Sequence, residues 1–297
     1  MKTNTLNSSE KKSEFKKDNS VTIIRNVVRI FLIVWAILII LPLGWTILTS
    51  LKSADEVSFE SAWSLPATLR WNNYAVAWTK ANFSLFFMNS VILSVGTVIL
   101  TLLMTTATAY VVSKFVHPVI KGIKWFFSLF MMVPQLLLLV PLYYMCDDLN
   151  LLSGGTVLVT LMITNALQGV PYYVFLLTPF MCGINNAILE AAEIDGAGKW
   201  REIFSITLPS ILPTIVIMLI MQIGAIMGSN FEKIYLMQNN GNLENSEVIA
   251  TYVYKTAFKD YNYGLSTAVG LFNSVVALVL VTIANIFSKK FTETSLW

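Results

Sequence analysis

Six stretches of this chain run beyond twenty residues without one Asp, Glu, Lys or Arg: Ile30–Leu51, Leu85–Val112, Trp125–Cys146, Leu149–Leu189, Ile203–Phe231 and Tyr261–Ser288. A helix needs about 20 largely apolar residues to cross a bilayer. No water reaches the hydrocarbon to satisfy exposed peptide groups, so uncharged runs of this length are read as spanning helices. The fourth run is long enough for two helices, but it begins with the turn-like "NLLSGGT" (150–156) and ends with "CGINNAIL" (182–189), too polar for the membrane core. One span therefore fits it better. The pattern predicts an all-α polytopic membrane protein with six transmembrane helices at about 28–50, 86–112, 125–146, 156–181, 205–229 and 264–288, within a membrane domain at 26–290. Pro134, Pro141, Pro171 and Pro213 fall inside the runs and predict kinks, tolerated where neighbouring helices re-satisfy the freed carbonyls.

Composition agrees with the runs. Charged residues make up 12% and mean hydropathy is +0.67, whereas soluble chains carry about 25% charged residues. The net charge of +3 gives no sign of nucleic-acid binding, because topology explains where the cations lie. With six spans, both termini and the second and fourth loops share one side, which holds fourteen of the twenty Lys and Arg residues. By the positive-inside rule that side is cytoplasmic. The polar residues 1–25 are expected to be a flexible cytoplasmic tail with no cleavable signal peptide, and 291–297 a second cytoplasmic tail. Cys146 and Cys182 fall at opposite ends of the expected fourth span, about 30 Å apart and too far for a disulfide. His117, the single histidine, has no spaced His or Cys to share a metal.

Several chemistries are missing. A phosphate loop needs Gly-x4-Gly-Lys-Ser/Thr, and "GAGK" (196–199) is the sole approach to it. Glu193 stands where the first glycine belongs, Trp200 follows the lysine, and Arg201 replaces the last glycine of a G-x-G-x-x-G pattern. Proton- and ion-coupled carriers usually bury ionisable residues in their spans, and the six runs contain none. Paired carboxylates and a Ser–His couple are also absent from them. The chain is therefore passive, or it borrows energy from another protein.

The segment "EAAEIDGAGKWREIFSITLP" (190–209) lies on the cytoplasmic side in this topology. Glu and Ala favour a short helix over Glu190–Asp195, Gly196 and Gly198 break it, and Lys199–Thr207 can form another turn or two. Pro209 would open the next span as a helix-start proline. The product is a helix–turn–helix elbow projecting from the inner face, at about 186–208.

Glu190-Ala191-Ala192, then Asp195-Gly196-Ala197, Phe204, Ile206, Leu208-Pro209 and Pro213 resemble the EAA loop of ATP-binding-cassette importer permeases. Elsewhere "PLGWTILTSLKSADE" (42–56), "NNYAVAW" (72–78), "FSLFFMNSVILS" (83–94), "VPLYYM" (140–145) and "TAVGLFNSV" (267–275) are similar to the smaller permease subunit of maltose-type carbohydrate importers. The tail "SKKFTETSLW" (288–297) resembles permeases for complex oligosaccharides more than the maltose prototype. In one departure, Asn185 and Asn186 stand near where the family often has a proline before the loop glutamate; this is expected to alter the helix entry without abolishing docking. The resemblance implies the type I importer permease architecture in a bacterial cytoplasmic membrane. Glu190, Ala191, Ala192, Asp195, Gly196 and Ala197 would dock into a cleft on a separate cytoplasmic ATPase. It further implies a second homologous permease as heterodimer partner, two ATPase subunits, an extracellular solute-binding protein and a carbohydrate substrate. The chain itself would bind no cofactor and catalyse nothing, with ATP and Mg used by the partner ATPase.

A sugar path needs hydrogen-bonding groups and aromatic faces within the spans. Gln135, Asn165, Gln168, Tyr172, Tyr173, Gln222, Asn230 and Asn273 are the candidates, although polar residues in bundles equally serve helix–helix contacts. Trp71, Tyr74, Trp78, Phe83, Phe86 and Phe87 read as an interfacial aromatic belt before sugar stacking. The stretch 241–259, with Glu244 and Glu247, is expected to meet the solute-binding protein together with the loop after the first span. Alternatives are a permease for a non-sugar solute and a carrier or channel acting alone.

Overall fold

The computed structural model describes residues 8–59, 63–80, 82–226 and 230–292. Helix α1 (Ser8–Ser50) is followed outside the membrane by α2 (Ala54–Phe59) and α3 (Asn72–Lys80). Then come α4 (Phe83–Lys114), α5 (Pro118–Met132), a 3₁₀ turn (Gln135–Leu138), α6 (Leu139–Asp148) and α7 (Val157–Cys182). The elbow holds α8 (Asn186–Ile194) and α9 (Lys199–Glu202), and a π-helix (Ile203–Thr207) leads into α10 (Leu208–Ile226). An outer cap of α11 (Phe231–Met237), α12 (Leu243–Ser246) and α13 (Ile249–Phe258) precedes α14 (Tyr263–Thr292).

Among the described residues five helices are long and apolar enough to cross a membrane, or six when the bent pair Pro118–Met132 and Gln135–Asp148 is counted as one span. The single span expected at 125–146 is corrected here: its two halves are bent by 98°. Val133 is extended, as a residue before proline tends to be, and Pro134 has no N–H to continue the ladder. Pro141 gives no such break, because it lies in the first turn of α6, where a donor is not needed. Residues 8–25, within the expected tail, are helical and continuous with the first span. No Gly or Pro interrupts 8–41, so nothing in the backbone stops the helix. Residues 1–7, 227–229 and 293–297, which include parts of both expected tails and of the fifth span, lie outside the described residues.

The closest helix pair is α4 against α7. Asn89, Leu93, Thr97, Thr101, Thr105 and Ala109, spaced by four, form the buried stripe of α4. A Cβ on Gly96 would stand 2.5 Å from Met162 Sδ of α7, and one on Gly169 would stand 3.8 Å from Thr101 Cγ2 of α4. Small residues let the backbones approach, the usual basis of helix association in lipid. One apolar cluster joins Ala109, Val174, Leu177, Met181 and Ile211 at the end of the bundle that carries the elbow, and a second joins Leu93, Cys146, Val157, Leu161, Ile234 and Met237 at the opposite end.

The outer cap is held down by side-chain bonds to backbone. Asn89 Nδ2 donates to the carbonyls of Glu244 and Glu247, each at 3.0 Å, and the Ile249 N–H donates to Ser90 Oγ at 3.0 Å. Asn242 is fully buried and donates to Leu152 O at 2.8 Å and Met237 O at 2.9 Å. The outer ends of α1 and α14 meet without an intervening side chain: a Cβ on Gly264 would lie 2.2 Å from the Lys52 carbonyl. Asn73 Nδ2 clasps the same corner through Ser50 O and Lys52 O at 2.8 and 2.9 Å. Towards the N-terminal end of α1, every residue from Ile23 to Gly44 is exposed.

Candidate functional site

The elbow begins four residues before Glu190. Asn185 caps α8, its side-chain oxygen accepting the Ala187 N–H at 2.9 Å, so the departure from proline supplies a cap of its own. The helix ends in a Schellman arrangement: Gly196 N–H bonds Glu193 O at 3.0 Å and Ala197 N–H bonds Ala192 O at 2.9 Å. Gly196 has φ +79°, the left-handed region that disfavours side chains.

Glu190, Ala191 and Asp195 are exposed, Ala192 and Ala197 half-buried, and the elbow also presents Ile188, Ile194, Trp200 and Phe204 to the outside. Trp200 and Phe204 stack with ring centroids 6.1 Å apart. The inner side is anchored: Glu202 is buried, pairs with Lys199 at 2.9 Å and accepts from Tyr110 Oη of α4 at 3.5 Å. Pro209 does not start a helix as expected, because the helix runs on from α9 through the π turn. Lacking an N–H for the carbonyl four residues back, the proline favours a widened preceding turn.

The second constellation lies across α7. Asn165, Gln168 and Tyr172 follow an i, i+3, i+7 spacing and so share one face. Asn165 and Gln168 are half-buried and Tyr172 is exposed. Tyr173 Oη donates to Gln222 Oε1 of α10, and the Tyr172 and Tyr173 rings meet edge to face at 5.3 Å. Lys233 of α11 is buried and donates to Asn165 Oδ1 at 2.6 Å and to Gln168 Oε1. Sequence reasoning counted Lys233 as an outer-loop charge and found no ionisable group in the spans. The lysine lies in a short helix that folds back onto a span, and only the pattern Lys233, Ile234 and Met237 on one side of α11 hinted at burial. Gln135 is exposed at the bend between α5 and α6, Asn230 opens α11 with φ +66°, and Asn273 is half-buried on α14.

The aromatic group divides. Phe83 and Phe87 pack with Phe272 of α14 in a buried cluster, while Trp71 is exposed. Of the two outer acids, Glu244 is exposed, but Glu247 is buried and paired with Lys255 at 2.5 Å. Glu247 is thus withdrawn from the outer surface. No cluster of three metal-ligating residues occurs among the described residues.

The family described as "binding-protein-dependent transport system inner membrane component" matches residues 107–293, which include the elbow and α7. The diacetylchitobiose uptake system permease protein NgcG of Streptomyces coelicolor is 36% identical over 61% of this chain and 59% of its own length. The polygalacturonan/rhamnogalacturonan transport system permease protein YteP of Bacillus subtilis is 42% identical over 38% of this chain and 36% of its own. The chain thus spans well under two thirds of these curated relatives. A chain from the crystal structure of a bacterial alginate ABC transporter, in complex with an alginate pentasaccharide-bound periplasmic protein, superposes with a TM-score of 0.76. That superposition covers 95% of this chain and 99% of the other at 22% identity, and establishes the fold. With the family match covering most of the chain and the elbow inside it, this protein belongs to the binding-protein-dependent transport system inner membrane components.

Proposed function

We propose that this chain is one permease subunit of an ATP-driven importer for an oligosaccharide. Glu190, Ala191, Ala192, Asp195, Gly196 and Ala197 dock a cytoplasmic ATPase, which binds ATP and Mg and does the hydrolysis. A second permease completes the translocation path, and an extracellular solute-binding protein delivers the sugar. Both termini face the cytoplasm, in keeping with the Lys and Arg distribution. The observation that carries this reading is the elbow: a capped, glycine-terminated helix with exposed apolar side chains, anchored to α4 through Glu202 and continuous with α10. Such a part transmits force from a docked protein into the spans.

The path runs along Gln168, Tyr172, Tyr173 and Gln222, with Asn165 beside them. A partly uncovered polar face on a spanning helix is costly against hydrocarbon and suits a watered passage. The sugar assignment is supported by the names of the relatives, which transport diacetylchitobiose and polygalacturonan/rhamnogalacturonan. Reconstitution with the second permease, the ATPase and the solute-binding protein tests the proposal. Sugar uptake should require all four, and uptake by this chain alone without ATP would replace the importer by an independent carrier.

A further inference from the structure

The geometry points to an anionic oligosaccharide, one carrying carboxylates, as the substrate, with Lys233 as the residue that selects for its charge; this rests on the carbohydrate reading above. Lys233 is 3% exposed, yet its ammonium is met by the amide oxygens of Asn165 and Gln168 and by no carboxylate. The two ion pairs among the described residues are Lys199–Glu202 and Lys255–Glu247. Asp147, Asp148 and Glu232, nearby on α6 and α11, are exposed and do not pair with it. Buried cations are normally neutralised, because desolvation is otherwise uncompensated. Amide dipoles orient an ammonium without cancelling its charge, and two acceptors leave one of its three donors over.

The position of this charge gives it a use. Asn165 and Gln168 lie on the face of α7 that continues to Tyr172, and α7 starts at the outer side of the membrane, so Lys233 stands at the outer end of the polar face. A fixed positive charge in a low-dielectric passage concentrates anions and holds back cations. A neutral sugar would need only the amides and rings. A carboxylate-bearing sugar is drawn by the field of this uncompensated charge, which acts through the low-dielectric wall without direct contact with the buried ammonium.

The competing role is a mechanical latch fastening α11 to α7, and two variants separate the possibilities. Asn165→Asp places a carboxylate against the ammonium, retaining the fastening while neutralising the charge; Lys233→Arg retains the charge. Proteoliposomes holding the complete importer are assayed for uptake of trigalacturonate, of its methyl ester (same rings, no charge) and of neutral trisaccharides. The expectation is uptake of trigalacturonate by the natural chain, reduced about tenfold or more in Asn165→Asp and largely kept in Lys233→Arg. Trigalacturonate uptake untouched by Asn165→Asp leaves only the latch and overturns the inference. Uptake of neutral sugars alone also overturns it but preserves the carbohydrate importer. Absence of uptake for every sugar, with the ATPase still stimulated by the solute-binding protein, removes both.

Discussion

Gly196 and Gly264 are constrained by different forces, and substitutions at the two should fail differently. Gly196 has open space around the missing Cβ, and its constraint is the positive φ. Gly196→Val should cost on the order of 1–2 kcal/mol locally, leave the melting temperature of the purified complex nearly unchanged and reduce ATP-driven uptake severely. Unaltered uptake would remove the elbow from coupling. At Gly264 the obstacle is a backbone carbonyl that cannot step aside. Gly264→Ala should destabilise the protein by about 1–3 kcal/mol, whereas Gly122→Ala, facing open space, should not; thermal unfolding in detergent compares them. Outside the membrane, Glu56 accepts the Ser53 N–H at 2.8 Å and the Ala67 N–H at 3.2 Å. The Ser53 bond foremost holds its carboxyl below the ordinary 4.5. A depressed carboxyl contributes stability above its ordinary value and loses it as pH falls through the lowered one. Hydrogen-exchange protection at Ser53 and Ala67, taken relative to the intrinsic rate at each pH, should therefore fall in acid below about pH 4.5 and in Glu56→Gln at neutral pH.

The helical elements show which signals reach through sequence and which do not. Long uncharged runs located α1, α4, α7, α10 and α14 because hydrocarbon imposes a one-dimensional rule on composition. The bend at Pro134 was signalled only as a kink, since proline identifies where a ladder breaks but the neighbours decide by how much. Gly196 could be read directly, because a helix-ending glycine is a local requirement. The π turn before Pro209 and the caging of Lys233 were not readable, as each depends on how a following or distant element is seated. Asn185 offers a test at this scale. Asn185→Ala should cost α8 about 1 kcal/mol and raise hydrogen exchange through residues 186–190, while the spans stay protected.

For the molecule as a whole, α1 is the outlier. It extends over 43 residues, about 65 Å at helical rise, and between Ile23 and Gly44 the chain's own bundle leaves it uncovered. Such a helix is completed by lipid or by the proposed second permease. A photo-cross-linking benzophenone side chain at Leu38, exposed on α1, should cross-link to the proposed second permease in the assembled importer and not in the isolated chain, as read by a mass shift on denaturing gels. The corner at Gly264 gives this arrangement a mechanical meaning. With α1 and α14 in backbone contact at their outer ends, and α1 free of the bundle further in, the two helices behave like the legs of a pair of dividers. Their pivot is at the Gly264 corner, so any rocking of α14 changes the width of the wedge at the opposite end while hardly moving the tip. The occupant of that wedge, acyl chains or a neighbouring subunit, sets how far the legs can close.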